Sequence, residues 1–109
     1  MSKTGPKAKQ LNGSQIRHLR GLGHHLSPVV MVGREGISPS VLTAAAEVLL
    51  AHELIKVKVQ QTSDVDRQTA AEELANRLKA AVVQVLGNTV LLYRENKDRK
   101  PDQKINLPE

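Results

Sequence analysis

The sequence predicts an α/β domain: three helices on a mixed four-stranded sheet, in the order αβαβαββ. Two observations carry this. Stretches with apolar residues at helical spacing (near 14–23, 38–52 and 64–80) alternate with short β-branched runs at 29–32 and 54–59, which is the pattern of strand–helix–strand units. The last two runs, 82–86 and 89–94, are separated only by Gly87-Asn88, a dipeptide that a two-residue hairpin turn accepts. Strands one and two are therefore expected to be parallel through helix two, and strands three and four antiparallel.

Each element follows from its residues. Positions 1–10 are polar, lysine-bearing and without period, so a mobile basic arm is expected there. Helix one has Ser14 as its expected N-cap and Gly23 as its C′ residue. At about 100° per residue Ile16, Leu19 and Leu22 gather on one side, and Arg17, Arg20 and His24 on the opposite side. Helix two starts at Ser38, with Pro39 at its first position, where a missing N–H costs nothing, and runs to about His52. It is apolar around most of its circumference, which predicts cover on more than one side. In strand two Ile55, Val57 and Val59 face one way, and Lys56 and Lys58 the other. Helix three is expected from about Asp64 to Ala80, with Leu74 and Leu78 in its apolar stripe and Glu73–Arg77 as an i,i+4 pair. Residues 95–109 read as a polar tail of mixed charge, leaving 11–94 as the folded domain.

Composition narrows the function. The 109 residues include no Phe, Trp or Cys and one Tyr, so the core is aliphatic, and disulfides and thiolate chemistry are excluded. No apolar run is long enough to span a membrane and no signal peptide opens the chain, so a soluble, cytoplasmic, monomeric protein is expected. The net charge of +5 is unevenly placed: residues 1–34 hold six bases and no acid, residues 35–93 sum to −2, and residues 94–109 to +1. One-sided positive charge is the footprint of a polyanionic partner.

The charged segment leads to Gly33-Arg34-Glu35-Gly36, between the run Val29–Val32 and the helix start at Ser38. Glycines allow positive φ and close backbone approach, a helix N-terminus favours an anion, and Arg34 adds a fork suited to phosphate. A Gly-x-x-Gly between strand and helix is also a common turn. The motif is neither a Walker loop nor a dinucleotide fingerprint.

In that order, Leu19-Arg20-Gly21-Leu22-Gly23-His24-His25-Leu26-Ser27-Pro28-Val29-Val30, the Gly33–Gly36 loop, His52-Glu53-Leu54-Ile55-Lys56-Val57-Lys58, Gln84-Val85-Leu86-Gly87 and Leu92-Tyr93-Arg94 resemble the CRM domain, and more closely its stand-alone bacterial form, the YhbY-like proteins. The resemblance covers about residues 11–94. It implies a fold similar to the C-terminal domain of a bacterial translation initiation factor, RNA binding, and association with precursors of the large ribosomal subunit. It puts the RNA surface on Arg17, Arg20, Gly33, Arg34 and Gly36. Where the family often has a glycine before strand three, this chain has Lys79-Ala80-Ala81.

From the residues themselves, loop amides and Arg34 are expected to hold phosphates, with Arg17, Arg20 and His24 extending the track. Lys56, Lys58 and Arg94 are either a second patch or a solvent-facing strand side. With one tyrosine there is no aromatic stacking platform, so readout of backbone and shape in structured RNA is expected. His18, His24, His25 and His52 form no His-x-x-x-His pair, so neither a metal site, a cofactor nor an enzymatic reaction on a small-molecule substrate is expected. A DNA-compacting protein and a ribosomal adaptor docking through helix two are the competing readings.

Overall fold

The computed structural model describes residues 10–63 and 65–109. The expected basic arm, apart from Gln10, and the expected start of helix three at Asp64 lie outside them. The element order is α1 (Gly13–Gly23), β1 (Val30–Val32), α2 (Pro39–His52), β2 (Leu54–Val59), α3 (Arg67–Leu78), β3 (Ala81–Leu86), β4 (Thr89–Tyr93) and a 3₁₀ turn at Pro101–Gln103. The sheet order is β1-β2-β4-β3. β1 and β2 are parallel, and β4 is antiparallel to both β2 and β3.

Local chemistry sets most boundaries. α1 is capped by Asn12 rather than Ser14: Asn12 Oδ1 accepts from the Gln15 N–H (2.8 Å), and Gln15 Oε1 accepts from the Asn12 N–H (3.1 Å). This reciprocal box satisfies two donors, and Ser14, with Arg17 three residues on, cannot build it. Gly23 is not a left-handed cap, since the helix continues into His24 at φ −57°. Its role is close approach, because a Cβ there would lie 2.4 Å from Leu91 Cδ2. Ser38 caps α2 as expected, accepting from the Val41 N–H. α3 is capped by Asp66, whose Oδ1 accepts from the Thr69 N–H (2.7 Å). The helix ends at Lys79, which takes the left-handed conformation (φ 56°) that glycine adopts most readily. Glu73 and Arg77 pair at 3.7 Å. At the hairpin tip Gly87 has φ 58°, and β3 carries a register shift between Val82 and Gln84.

The sheet has one apolar layer on each face. On one face Val30, Val32, Ile55, Val57, Val90 and Leu92 meet Ala45 and Leu49 of α2 and Ala70, Ala71, Leu74 and Leu78 of α3. This explains the apolar character of α2, which packs on β1, β2 and α3. On the other face Leu19 of α1 packs with Leu54, Val83, Leu91 and Tyr93, joined by Ile105 and Leu107 from the last residues of the chain.

The polar tail is thus part of the fold, and Glu53 is what it docks on. Glu53 ends α2 at φ 66°, ψ −34°, and its side chain is fully buried. Its carboxylate accepts the backbone N–H groups of Asn96 (2.7 Å) and Ile105 (2.7 Å). The Lys104 ammonium stands 3.8 Å away and pairs more closely with Glu95, at 2.8 Å. Asn96 Nδ2 donates to the Leu50 carbonyl and Arg99 Nη1 to that of Ala51, so the tail satisfies carbonyls left open at the end of α2. Gln15 Nε2 donates to the Pro108 carbonyl at 3.0 Å, tying the tail to α1.

Candidate nucleic-acid interface

Lys56, Lys58 and Arg20 lie on the α1 face of the sheet. Side chains alternate along a strand. With Ile55, Val57 and Val59 facing α2 and α3, Lys56 and Lys58 face the α1 side together with Met31 of β1. Lys56 is half-buried opposite Leu91, and Lys58 is exposed between Met31 and Thr89. Arg20 leans over β3: with the Gln84 amide oxygen turned toward it, its Nε and Nη2 donate to that oxygen at 3.1 and 3.2 Å. Arg17 is exposed and lies back along the helix, its Nη1 3.5 Å from where a Cβ on Gly13 would stand, as the backward tilt of helical side chains requires. His24 is exposed at the helix end, its ring edge-on to His25 at a centroid distance of 5.4 Å.

The glycine loop is a tight turn at the carboxyl end of β1. The Gly36 N–H donates to the Gly33 carbonyl (3.0 Å) and the Ser38 N–H to the Gly36 carbonyl (3.1 Å). The two glycines do different work. Gly36 takes φ 72° and is buried beside Val65, whereas Gly33 is half-buried with the Gln60 side-chain oxygen 3.2 Å from its would-be Cβ. Gly36 therefore offers neither bare backbone nor a spare N–H to a ligand. The exposed group at the tip is Arg34, with Glu35 beside it.

The loop and Arg20 stand over opposite edges of the sheet, since β1 and β3 are its two outer strands. Three strand spacings separate them, about 14 Å. Lys56 and Lys58 fill that interval on the same face. Gln60, which borders Gly33 and contacts the Met31 sulfur, joins loop to strand face. Arg94 is not part of this array. It follows Tyr93 at the end of the sheet away from the loop, where its N–H donates to the Glu53 carbonyl. On the opposite layer α2 and α3 carry Glu47, Glu72 and Glu73, with Asp66 as the cap of α3, against Arg67 and Arg77.

The sequence over residues 11–94 matches the family described as the CRS1 / YhbY (CRM) domain. The chain belongs to the CRM domain family. Its similarity to the probable RNA-binding protein YqeI of Bacillus subtilis is 42% identity over 98 residues, spanning 90% of this chain and 99% of that one. A protein of Haemophilus influenzae named as RNA-binding is 40% identical over 98 residues, 90% of this chain and 95% of that one. The solution structure of the hypothetical protein SAV1595 from Staphylococcus aureus superposes with a TM-score of 0.75 at 36% identity, covering 91% of this chain and all of that one.

The CRM fold of this chain sets Lys56 and Lys58 on the α1 side of the sheet and Arg20 over β3, with Arg34 at the β1 edge and Arg94 at the end away from the loop. Sequence reading missed Gln84 and Gln60, the neutral residues that position Arg20 and border Gly33. Glutamines such as Gln84 inside β3 and Gln60 just past β2 carry no local signal until the pairing register is known. Among the described residues no group of three or more His, Asp or Glu side chains is arranged to hold a metal ion, and no helix is long and apolar enough to cross a membrane.

Proposed function

We propose that this CRM-domain protein binds RNA through the α1 face of its sheet, and that its target is structured ribosomal RNA in precursors of the large ribosomal subunit. The observation that carries the reading is a diagonal of cations from Arg34 at one sheet edge, across Lys58 and Lys56, to Arg20 over the other, with Arg17 about one turn back along α1. Glu35 is exposed at the loop tip beside Arg34, while the opposite layer is mixed in sign. The names of the B. subtilis and H. influenzae relatives support an RNA partner, and the family resemblance supports the ribosomal one. Arg34 supplies the loop's contribution as a side-chain fork on phosphate. A track of separate cations reads backbone spacing, so affinity falls steeply with salt and depends weakly on sequence.

The test is the triple substitution Arg17→Glu, Arg20→Glu and Arg34→Glu. It abolishes binding to structured ribosomal RNA while circular dichroism and the melting transition stay as in the wild type. Retained RNA binding by the folded variant would refute the reading, and tighter binding to duplex DNA than to structured RNA at matched salt would assign the surface to DNA.

A further inference from the structure

We infer that the apolar cleft beside Lys56 receives an unstacked nucleobase of the bound strand, with Lys56 holding the adjoining phosphate; this rests on the RNA-binding reading above. β1 is only three residues long and pairs with Val57–Val59, so the first half of β2 is flanked by the Leu26–Val29 segment instead of by a strand. Between that segment, the end of α1 and the tail lies a cleft of about 400 Å³, floored by Leu54 and Ile55, within the range of roughly 300–1,000 Å³ found for small-ligand pockets.

The cleft is unusual for where its apolar surface lies. Among the described residues the large apolar side chains left exposed include Leu22 (41%), Leu26 (37%) and Val29 (53%), and all three wall this cleft. Grouped exposed apolar surface marks a binding site more often than it occurs by chance. Here it coincides with the cationic face: Lys56 lines the same cleft, Lys58 follows on the same strand face, and no carboxylate is among the lining side chains. An occupant must therefore join a flat apolar body to a negative charge, which is the chemistry of a nucleotide. An amphipathic helix of acidic character shares that chemistry, but needs a row of anchors along two helical turns, and one cleft supplies a single anchor. Ser27 and His52 at the rim offer hydrogen bonds to a base edge. The one tyrosine, Tyr93, is buried, so contact with the base falls to the aliphatic walls and the exposed His52 ring.

The test uses the full chain, an oligoadenylate, and an abasic ribose–phosphate oligomer of equal length and charge. Wild-type protein prefers the oligoadenylate by about fivefold, the low end for stacking of one base. The double variant Leu26→Gln, Val29→Thr binds both oligomers with the wild-type affinity for the abasic one. Both positions are surface-exposed, and an unchanged melting curve confirms that the variant folds. A 4-thiouridine-bearing oligomer crosslinks to residues 22–29 in the wild type. Equal binding of the two oligomers by the wild type, with steep salt dependence, overturns the cleft and leaves the RNA reading intact. So does a crosslink outside the cleft. Failure to bind any RNA removes both. Tighter binding of an acidic amphipathic peptide, with loss of the base preference in its presence, assigns the cleft to a protein and also overturns the inference.

Discussion

Removing the Glu53 carboxylate should destabilise the protein by about 3–5 kcal/mol. Two backbone N–H groups, of Asn96 and Ile105, donate to it at 2.7 Å. Hydrogen bonds to a charged group contribute roughly 1.5–3 kcal/mol each, so about 3–6 kcal/mol depends on these two oxygens. Lys104 adds little, because it stands 3.8 Å away and retains Glu95. The loss has a ceiling, since the tail can undock and return both amides to water at the cost of exposing Ile105 and Leu107. In a domain of about 5–15 kcal/mol total stability, this is a large fraction. Backbone strain separates the substitutions. At φ 66°, ψ −34° a side chain costs roughly 1–3 kcal/mol, so Glu53→Gly should be milder than Glu53→Ala. Glu53→Gln keeps the volume but points an amide donor at one of the two N–H groups, and should recover no more than half. Urea unfolding measures the stabilities, and hydrogen exchange at the Asn96 and Ile105 amides locates the change. Glu53→Ala within about 0.5 kcal/mol of wild type, the range of ordinary surface substitutions, would refute the account of the tail. Glu53→Gly no milder than Glu53→Ala would refute the account of strain.

Three further outcomes are expected. Burial, with the Glu53 and Glu95 carboxylates adding to it, pushes the Tyr93 phenol from 10.0 up to about 12. The neutral ring's contribution to stability is thus intact below pH 10 and is lost as pH rises toward 12. With one tyrosine in the chain, tyrosinate absorbance reads this directly, and a native midpoint near 10 would contradict it. Gly23→Ala puts a methyl 2.4 Å from Leu91 Cδ2; overpacking of about 1–3 kcal/mol outweighs the helix-propensity gain of at most about 1 kcal/mol, and a double-mutant cycle with Leu91→Ala should show less than additive loss. Asp66→Ala removes the α3 cap and lowers stability. The Thr69 backbone N–H holds the Asp66 carboxyl below its ordinary 3.8, so in wild type this contribution is present above that pH and fades as pH falls through the lowered value; a variant with unchanged thermal stability at neutral pH would contradict the cap.

What was legible in the sequence followed from periodicity and strong local signals. The alternation of β2, the Ser38–Pro39 start of α2 and the Gly87 turn each depend on neighbours a few residues away, and each appears where expected. Less legible were choices between near-equivalent residues. Asn12 and Ser14 are both good caps, and the side chain of Gln15 decides between them. Lys79 occupies a left-handed position with no glycine to mark it. Least legible was whatever depends on residues far apart in the chain. Glu53 looks like a plain helix end until Asn96 and Ile105 are folded onto it, and Gly23 looks like a cap until Leu91 arrives. The candidate site divides the same way. Arg17, Arg20 and Arg34 stand out as charges. Their separation over opposite sheet edges, with Lys56 and Lys58 between, follows only from the strand order.

That strand order also governs the protein's birth. A ribosome delivers β1, α2, β2 and α3 before β4, in which β2 finds its antiparallel neighbour. Until β4 emerges, both sides of the sheet lack a middle, and the carboxylate of Glu53 waits in water for the amides of Asn96 and Ile105, made later still. The sheet accordingly closes only after residues 89–105 have been made.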